Sequence, residues 1–216
     1  MPDATLTARL DGAFAALPLV AILRGLTPAG ADGVADALYG AGFRLIEVPL
    51  NSPEPFDSIA RIRRRLPADA LVGAGTITAV EQVAHLAALG AELAVMPHAD
   101  TAVIAAAAAA GLVCVPGVAT PTEAFAALKA GAAALKLFPA ELLPPAGLKA
   151  MRTVLPPGTR ILPVGGITPD TMGPYLAAGA AGFGLGSALY SPGLPAPEVA
   201  GRADRFVAAW RALRPA

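Results

Sequence analysis

The stretch LAVMPHADTAVIAAAAAAGLVCVPGV, residues 93–118, divides in two ways, and the choice decides the fold. From Thr101 to Thr122 the chain has no charged residue and is about long enough to cross a bilayer. Alanine dominates this run, however, and Gly111 and Pro116 interrupt it. It reads better as a packed helix followed by a buried strand. Leu93 to His98 is then one apolar strand, the alanine run a helix closed by Gly111, and Val113 to Val118 the next strand.

The same strand–helix unit recurs on both sides. Upstream lie the apolar runs Leu19 to Arg24, Arg44 to Leu50 and Leu71 to Thr76. Downstream lie Ala134 to Pro139, Ile161 to Gly166 and Gly182 to Ser187. The intervening helices end near Gly42, Gly90, Gly131 and Gly179. The helix after the second strand stops before Pro67, and Pro156-Pro157-Gly158 turns the chain into the seventh strand. Leu6, Leu10, Phe14 and Leu17 recur at helical spacing ahead of the first strand. A last helix, Glu198 to Leu213, sets Val199, Phe206, Trp210 and Leu213 on one side.

Strands that read as continuous apolar runs are buried on both faces, as in a parallel sheet. Eight such units in 216 residues, with no interdomain linker, predict an α/β fold. The architecture expected is one (β/α)8 TIM-barrel domain over residues 1–216, with a short N-terminal helix. A doubly wound open sheet is the alternative, but no G-x-G-x-x-G fingerprint follows an early strand.

Only 15% of the residues are charged and the formal net charge is zero, which supplies no electrostatic case for nucleic acid or an acidic membrane surface. The cluster Arg61, Arg63, Arg64 and Arg65 reads as the solvated face of a helix end. The single cysteine, Cys114, sits in an apolar run and reads as a buried, inert thiol. No disulfide can form within the chain, which fits a reducing cytoplasm. Asp3 and Asp11 with no basic region ahead of the apolar stretch do not make a signal peptide. His85 and His98 are too few and too separated for a His-rich metal site, so no metal or other cofactor is expected.

The chemistry points to Lys136. Of three lysines, Lys129 and Lys149 have polar, helix-like surroundings, whereas Lys136 has aliphatic residues on both sides. Burial disfavours the ammonium, lowers its pKa and frees a neutral amine, the nucleophile that forms Schiff bases with carbonyl substrates. A lysine snorkelling from a strand end is the bland alternative. Glu47 is a carboxylate inside an apolar strand, either a fixed ion-pair partner of Lys136 or Arg24 or a proton shuttle beside the lysine. In such a barrel the site lies at the C-terminal strand ends. Gly165-Gly166 ends strand seven and Gly186-Ser187 ends strand eight, where small residues let backbone N–H groups approach a phosphate. Arg24 suits a substrate carboxylate or a rim salt bridge, and Thr76 offers a hydroxyl to the same carboxylate or to local backbone. His98 is placed at the mouth or simply on the rim.

The motifs Ala21-Ile22-Leu23-Arg24-Gly25, Ile46-Glu47-Val48-Pro49-Leu50-Asn51-Ser52, Gly73-Ala74-Gly75-Thr76 and Leu135-Lys136-Leu137-Phe138-Pro139 have a precedent. With Val164-Gly165-Gly166-Ile167 and Gly184-Leu185-Gly186-Ser187, they resemble the 2-keto-3-deoxy-6-phosphogluconate/6-phosphogalactonate aldolase family, from about residue 18 to about 192. The resemblance implies a trimeric barrel and a metal-independent class I aldol cleavage. It implies Lys136 as the Schiff-base lysine and Glu47 as the proton-transferring glutamate. Arg24 and Thr76 then stand on the carboxylate side, and Gly166, Gly186 and Ser187 on the phosphate side. Pro49, Asn51 and Val164 are similar to the galactonate branch, while His98 stands where that branch is expected to carry Asn. The implied reaction is reversible cleavage of the 6-phosphogalactonate keto-deoxy acid to pyruvate and glyceraldehyde 3-phosphate. Alternatives are the gluconate epimer as main substrate, a phosphosugar isomerase or epimerase, and a non-catalytic phosphosugar-binding barrel.

Overall fold

The computed structural model describes residues 4–214. The first helix is α1 (Ala4–Ala16). Strand–helix units follow in order: β1 (Leu19–Ile22), α2 (Pro28–Ala41), β2 (Leu45–Pro49), α3 (Pro55–Arg65), β3 (Leu71–Gly75), α4 (Val80–Ala88), β4 (Leu93–Val95) and α5 (Thr101–Ala109). The second half runs β5 (Val113–Val115), β6 (Gly117–Val118), α6 (Pro121–Ala130), β7 (Leu135–Leu137), α7 (Pro145–Arg152), β8 (Ile161–Pro163), α8 (Met172–Ala177), β9 (Phe183–Leu185) and α9 (Ala196–Leu213).

The stretch from 93 to 118 resolves as a strand, a helix and two short strands. Asp100 accepts from the N–H groups of Ala102 and Val103 and so starts α5, and Gly111 follows its end at φ +81°. Among the described residues no helix is long and apolar enough to cross a membrane.

All strand pairs are parallel. One curled sheet has the order β5-β4-β3-β2-β1-β9 and a second the order β6-β7-β8. The order runs monotonically from β5 to β1, and the last strand, β9, then pairs with the first, unlike a doubly wound sheet, whose order reverses at a switch point. Val164 bridges Gly184 of β9, and Pro116 alone separates β5 from β6. The fifth strand expected from the sequence, Val113 to Val118, is therefore two pieces, because proline has no N–H to continue the ladder.

The strand period of two sorts the core into two layers. Leu19, Ala21, Ile46, Val48, Ala94, Cys114, Leu135 and Leu137 face the helices in the larger cluster. Val20, Leu45, Leu71, Leu93, Val95, Val113, Val115 and Leu162 form the smaller cluster on the concave face, joined by Leu6, Leu10 and Ala13 of α1. Helix α1 thus covers the N-terminal ends of the strands. Three sequence expectations change. Leu213 is 39% exposed rather than part of the apolar side of α9. Leu17 is buried but lies beyond the end of α1. Arg63 is no solvated residue: it donates to Glu92 and to the carbonyls of Leu66, Pro67 and Ala70. Its neighbours Arg61 and Arg65 pair with Asp32 and Asp36 of α2.

Candidate active site

Glu47 has the same parity in β2 as Leu45, so it points to the concave face. Lys136 of β7 has the parity of Ala134, just ahead of that strand, and points there too. The side chains of both are buried, at 1% and 7% exposure. Glu47 has room because Gly75 faces it: a methyl on Gly75 would meet Glu47 Oε2 at 2.0 Å. None of the ion pairs among the described residues joins Glu47 to Lys136 or Arg24, and Glu47 Oε2 has no hydrogen-bond partner. The fixed ion-pair reading of Glu47 is not what the structure has.

Desolvation dominates the protonation of both groups. Burial pushes the Glu47 carboxyl up to about 7, against the opposing pull of Lys136 and Arg24. Burial holds the Lys136 ammonium below the usual lysine value, Glu47 working against that shift and Arg24 with it. The Lys136 Nζ lies 4.5 Å from the centre of the Phe138 ring, whose face stabilises a cation there. Lys129 and Lys149 are both exposed. Cys114 is buried and its thiol is pushed up to about 12, which leaves it inert.

Three loops meet at Arg24, two residues beyond the end of β1. Its Nη1 donates to Asn51 Oδ1 at 2.5 Å, and its Nη2 approaches Thr76 Oγ1 at 3.4 Å. Gly25 N–H donates to Ser52 Oγ at 2.9 Å, tying the loop after β1 to the loop after β2. Thr76 holds φ +58°, a conformation a threonine adopts at a cost of about 1–3 kcal/mol.

A cavity of about 380 Å³ opens at these C-terminal strand ends. Arg24, Lys136, Phe138, Glu141, Val164, Gly165, Gly166, Gly186 and Ser187 line it. The structure thus brings together the lysine, the arginine and both small-residue turns that the sequence singled out. Glu47 lies beneath the cavity rather than on its wall. Thr76 and Asn51 reach it through Arg24, and the exposed His98 is not among the lining residues. Val164 sits over Gly184, where a methyl would meet Val164 Cγ2 at 2.6 Å. A larger opening, about 570 Å³, lies at the opposite end between α1 and α9 and holds none of these residues.

Sequence reasoning missed Phe138, Ser52 and Glu141. Phe138 had a signal, since two residues beyond Lys136 in a strand is the same face. Ser52 and Glu141 carry none, because loop side chains are placed by tertiary approach. Among the described residues no group of three or more His, Cys, Asp or Glu side chains is arranged to hold a metal ion.

Residues 10–200 match the model of the KDPG and KHG aldolase family. A probable 2-dehydro-3-deoxy-6-phosphogalactonate aldolase of Rhizobium meliloti (strain 1021) is 50% identical over 196 residues, covering 91% of this chain and 92% of that one. The 2-dehydro-3-deoxy-6-phosphogalactonate aldolase of Escherichia coli (strain K12) is 46% identical over 195 residues, covering 90% of this chain and 95% of that one. A solved structure described as native KDPGal superposes with a TM-score of 0.90 at 45% identity, covering 91% of this chain and 96% of that one.

Proposed function

The chain belongs to the KDPG and KHG aldolase family, and on that premise we propose that it cleaves 2-dehydro-3-deoxy-6-phosphogalactonate reversibly to pyruvate and D-glyceraldehyde 3-phosphate. The observation that carries this reading is the pair Glu47 and Lys136. Both are buried, both face inward, neither is paired with the other, and Lys136 opens onto a cavity with a guanidinium at one side and two small-residue turns at the other.

In this proposal neutral Lys136 attacks the C2 ketone, and loss of water gives an iminium ion that serves as electron sink. Glu47, through a water, takes the C4 hydroxyl proton, and the C3–C4 bond breaks. A carboxyl with a pKa of about 7 both accepts and returns a proton near neutral pH, which suits that shuttle. Glyceraldehyde 3-phosphate leaves, the enamine is protonated, and water releases pyruvate from Lys136. Arg24, held by Asn51 and Thr76, takes the substrate carboxylate. The backbone at Gly165, Gly166, Gly186 and Ser187 takes the phosphate and fixes the distal end. Val164, Asn51 and Pro49 favour the galactonate over the gluconate epimer.

The Val164–Gly184 bridge and the single-residue gap at Pro116 support closure of the two sheets into one (β/α)8 barrel, a single domain over the chain. The family resemblance supports a cytoplasmic homotrimer. The test of the reaction is release of pyruvate from the galactonate substrate by purified protein, before and after exhaustive chelation. Turnover unaffected by chelator is expected, since the iminium replaces a Lewis acid. Turnover lost to chelator and restored by a divalent ion contradicts the Schiff-base reading of Lys136.

A further inference from the structure

Glu141 lines the cavity, and the chemistry proposed for Lys136 and Glu47 makes no use of it. It sits in the 3-10 turn Ala140–Leu142 after β7, and that turn is pinned from two sides. Ala140 N–H donates to the Val164 carbonyl at 2.9 Å. The Tyr175 hydroxyl of α8 donates to the carbonyls of Ala140 and Leu143 at 2.8 and 3.1 Å. Burial, and then the Glu141 carboxylate, push that hydroxyl above the usual tyrosine value.

With its backbone fixed, the Glu141 side chain falls on the glycine pair. A methyl on Gly165 would meet Glu141 Oε2 at 2.0 Å, and one on Gly166 would meet Glu141 Cγ at 2.9 Å. Gly165 and Gly166 hold φ of +112° and +62°, so the turn requires glycine, and the carboxylate lies over it. The carboxylate lies against the same glycine turn to which the proposed function assigns the substrate phosphate.

We propose that Glu141 is a competing internal anion that sets phosphate affinity: substrate phosphate binds by displacing its carboxylate from the Gly165-Gly166 turn. This inference rests on the phosphate site of the proposed function. The two anions repel, and the cavity's cations, Arg24 and Lys136, belong to the pyruvate end of the substrate in that reading. Glu141 is exposed and turns to water by rotating its side-chain bonds, with the backbone unmoved. The phosphate dianion then accepts from the backbone N–H groups of the turn.

The experiment titrates inorganic phosphate calorimetrically into the wild type and Glu141→Gln, and measures KM for the phosphorylated substrate with both. The glutamine variant is expected to bind phosphate about three- to tenfold more tightly, as relief of one like charge at a partly exposed site implies, with KM falling in step. Unchanged or weaker phosphate binding by the variant overturns the proposal, as does a change confined to kcat. Adduct formation with pyruvate and borohydride at Lys136 is followed alongside, since it needs no phosphate. Its absence in the wild type would sink the aldolase reading, while the phosphate titration would still decide the role of Glu141.

Discussion

At the N-terminal ends of the strands, Glu92 is held between Arg9 and Arg63, Arg44 donates to Asp69 at 2.7 Å, and Arg160 donates to Asp11 at 2.7 Å. At the C-terminal ends of the strands, Glu47 Oε2 has no hydrogen-bond partner and Lys136 no ion pair among the described residues, and Thr76 is held at positive φ. One end pairs its charged groups, although Arg9 Nε itself is buried without a partner among the described residues, and the other leaves them costly. Pairing at the floor spares it the price of buried charge, whereas the mouth keeps groups whose protonation is poised. Substitutions at the mouth should therefore cost activity and leave or raise stability, and substitutions at the floor should do the reverse.

The largest effect is expected at the mouth. Lys136→Arg supplies no neutral amine and should show no cleavage above the uncatalysed rate. Glu47→Gln should lower kcat/KM by about 10²–10⁴-fold, the usual worth of a positioned acid–base group. In the wild type kcat/KM should rise with pH through about 7, as the Glu47 carboxyl loses its proton and becomes the base. The glutamine variant should lose that limb. A variant that keeps the limb assigns it to another group.

The next effect concerns stability. The Glu47 carboxyl titrates at about 7 when folded against about 4.5 when unfolded. The folded state then binds this proton more tightly. Its penalty for the charge is absent below about pH 4.5, grows as pH rises, and is complete above about pH 7, at about 3 kcal/mol. Glu47→Gln should therefore gain up to about 3 kcal/mol at pH 8 and little at pH 4 by urea denaturation. Equal gains at both pH values would remove desolvation as the cause.

At the floor the sign reverses. Glu92→Gln should lose about 2 kcal/mol, since charge-assisted bonds to Arg9 and Arg63 weaken together. Its Tm should fall by about 4–8 °C. Its kcat should stay within about twofold of the wild type. A large fall in kcat would show that floor and mouth are coupled. The smallest effect is at Val164, buried at the mouth with no polar atom to offer a substrate hydroxyl. The wild type should favour the galactonate epimer, and Val164→Thr should shift the kcat/KM ratio of the two epimers toward gluconate by about 2- to 10-fold. A wild type that prefers gluconate, or an unmoved ratio, contradicts the assignment.

The mouth was far more legible in the sequence than the floor. Lys136 and Glu47 stand out because a charge inside an apolar run violates the pattern around it, and strand parity alone places both on one face. The small-residue turns at Gly165-Gly166 and Gly186-Ser187 are local features read at strand ends. The Arg9–Glu92–Arg63 network joins residues 83 and 29 positions apart, and nothing in the helical pattern of α3 separates Arg63 from the exposed Arg64. Glu141 was invisible for the same reason, since its approach to Gly165 depends on where Tyr175 pins a turn. The break at Pro116 was open to reading, because proline cannot donate within a ladder.

The central claim is that burial makes Lys136 a nucleophilic amine, and it is tested most directly by trapping. The protein is treated with pyruvate and borohydride, digested, and its peptides weighed. The account predicts one reduced pyruvyl adduct, on the peptide carrying Lys136, with loss of activity in proportion. An unmodified Lys136, or an adduct on the exposed Lys129 or Lys149 instead, would contradict it.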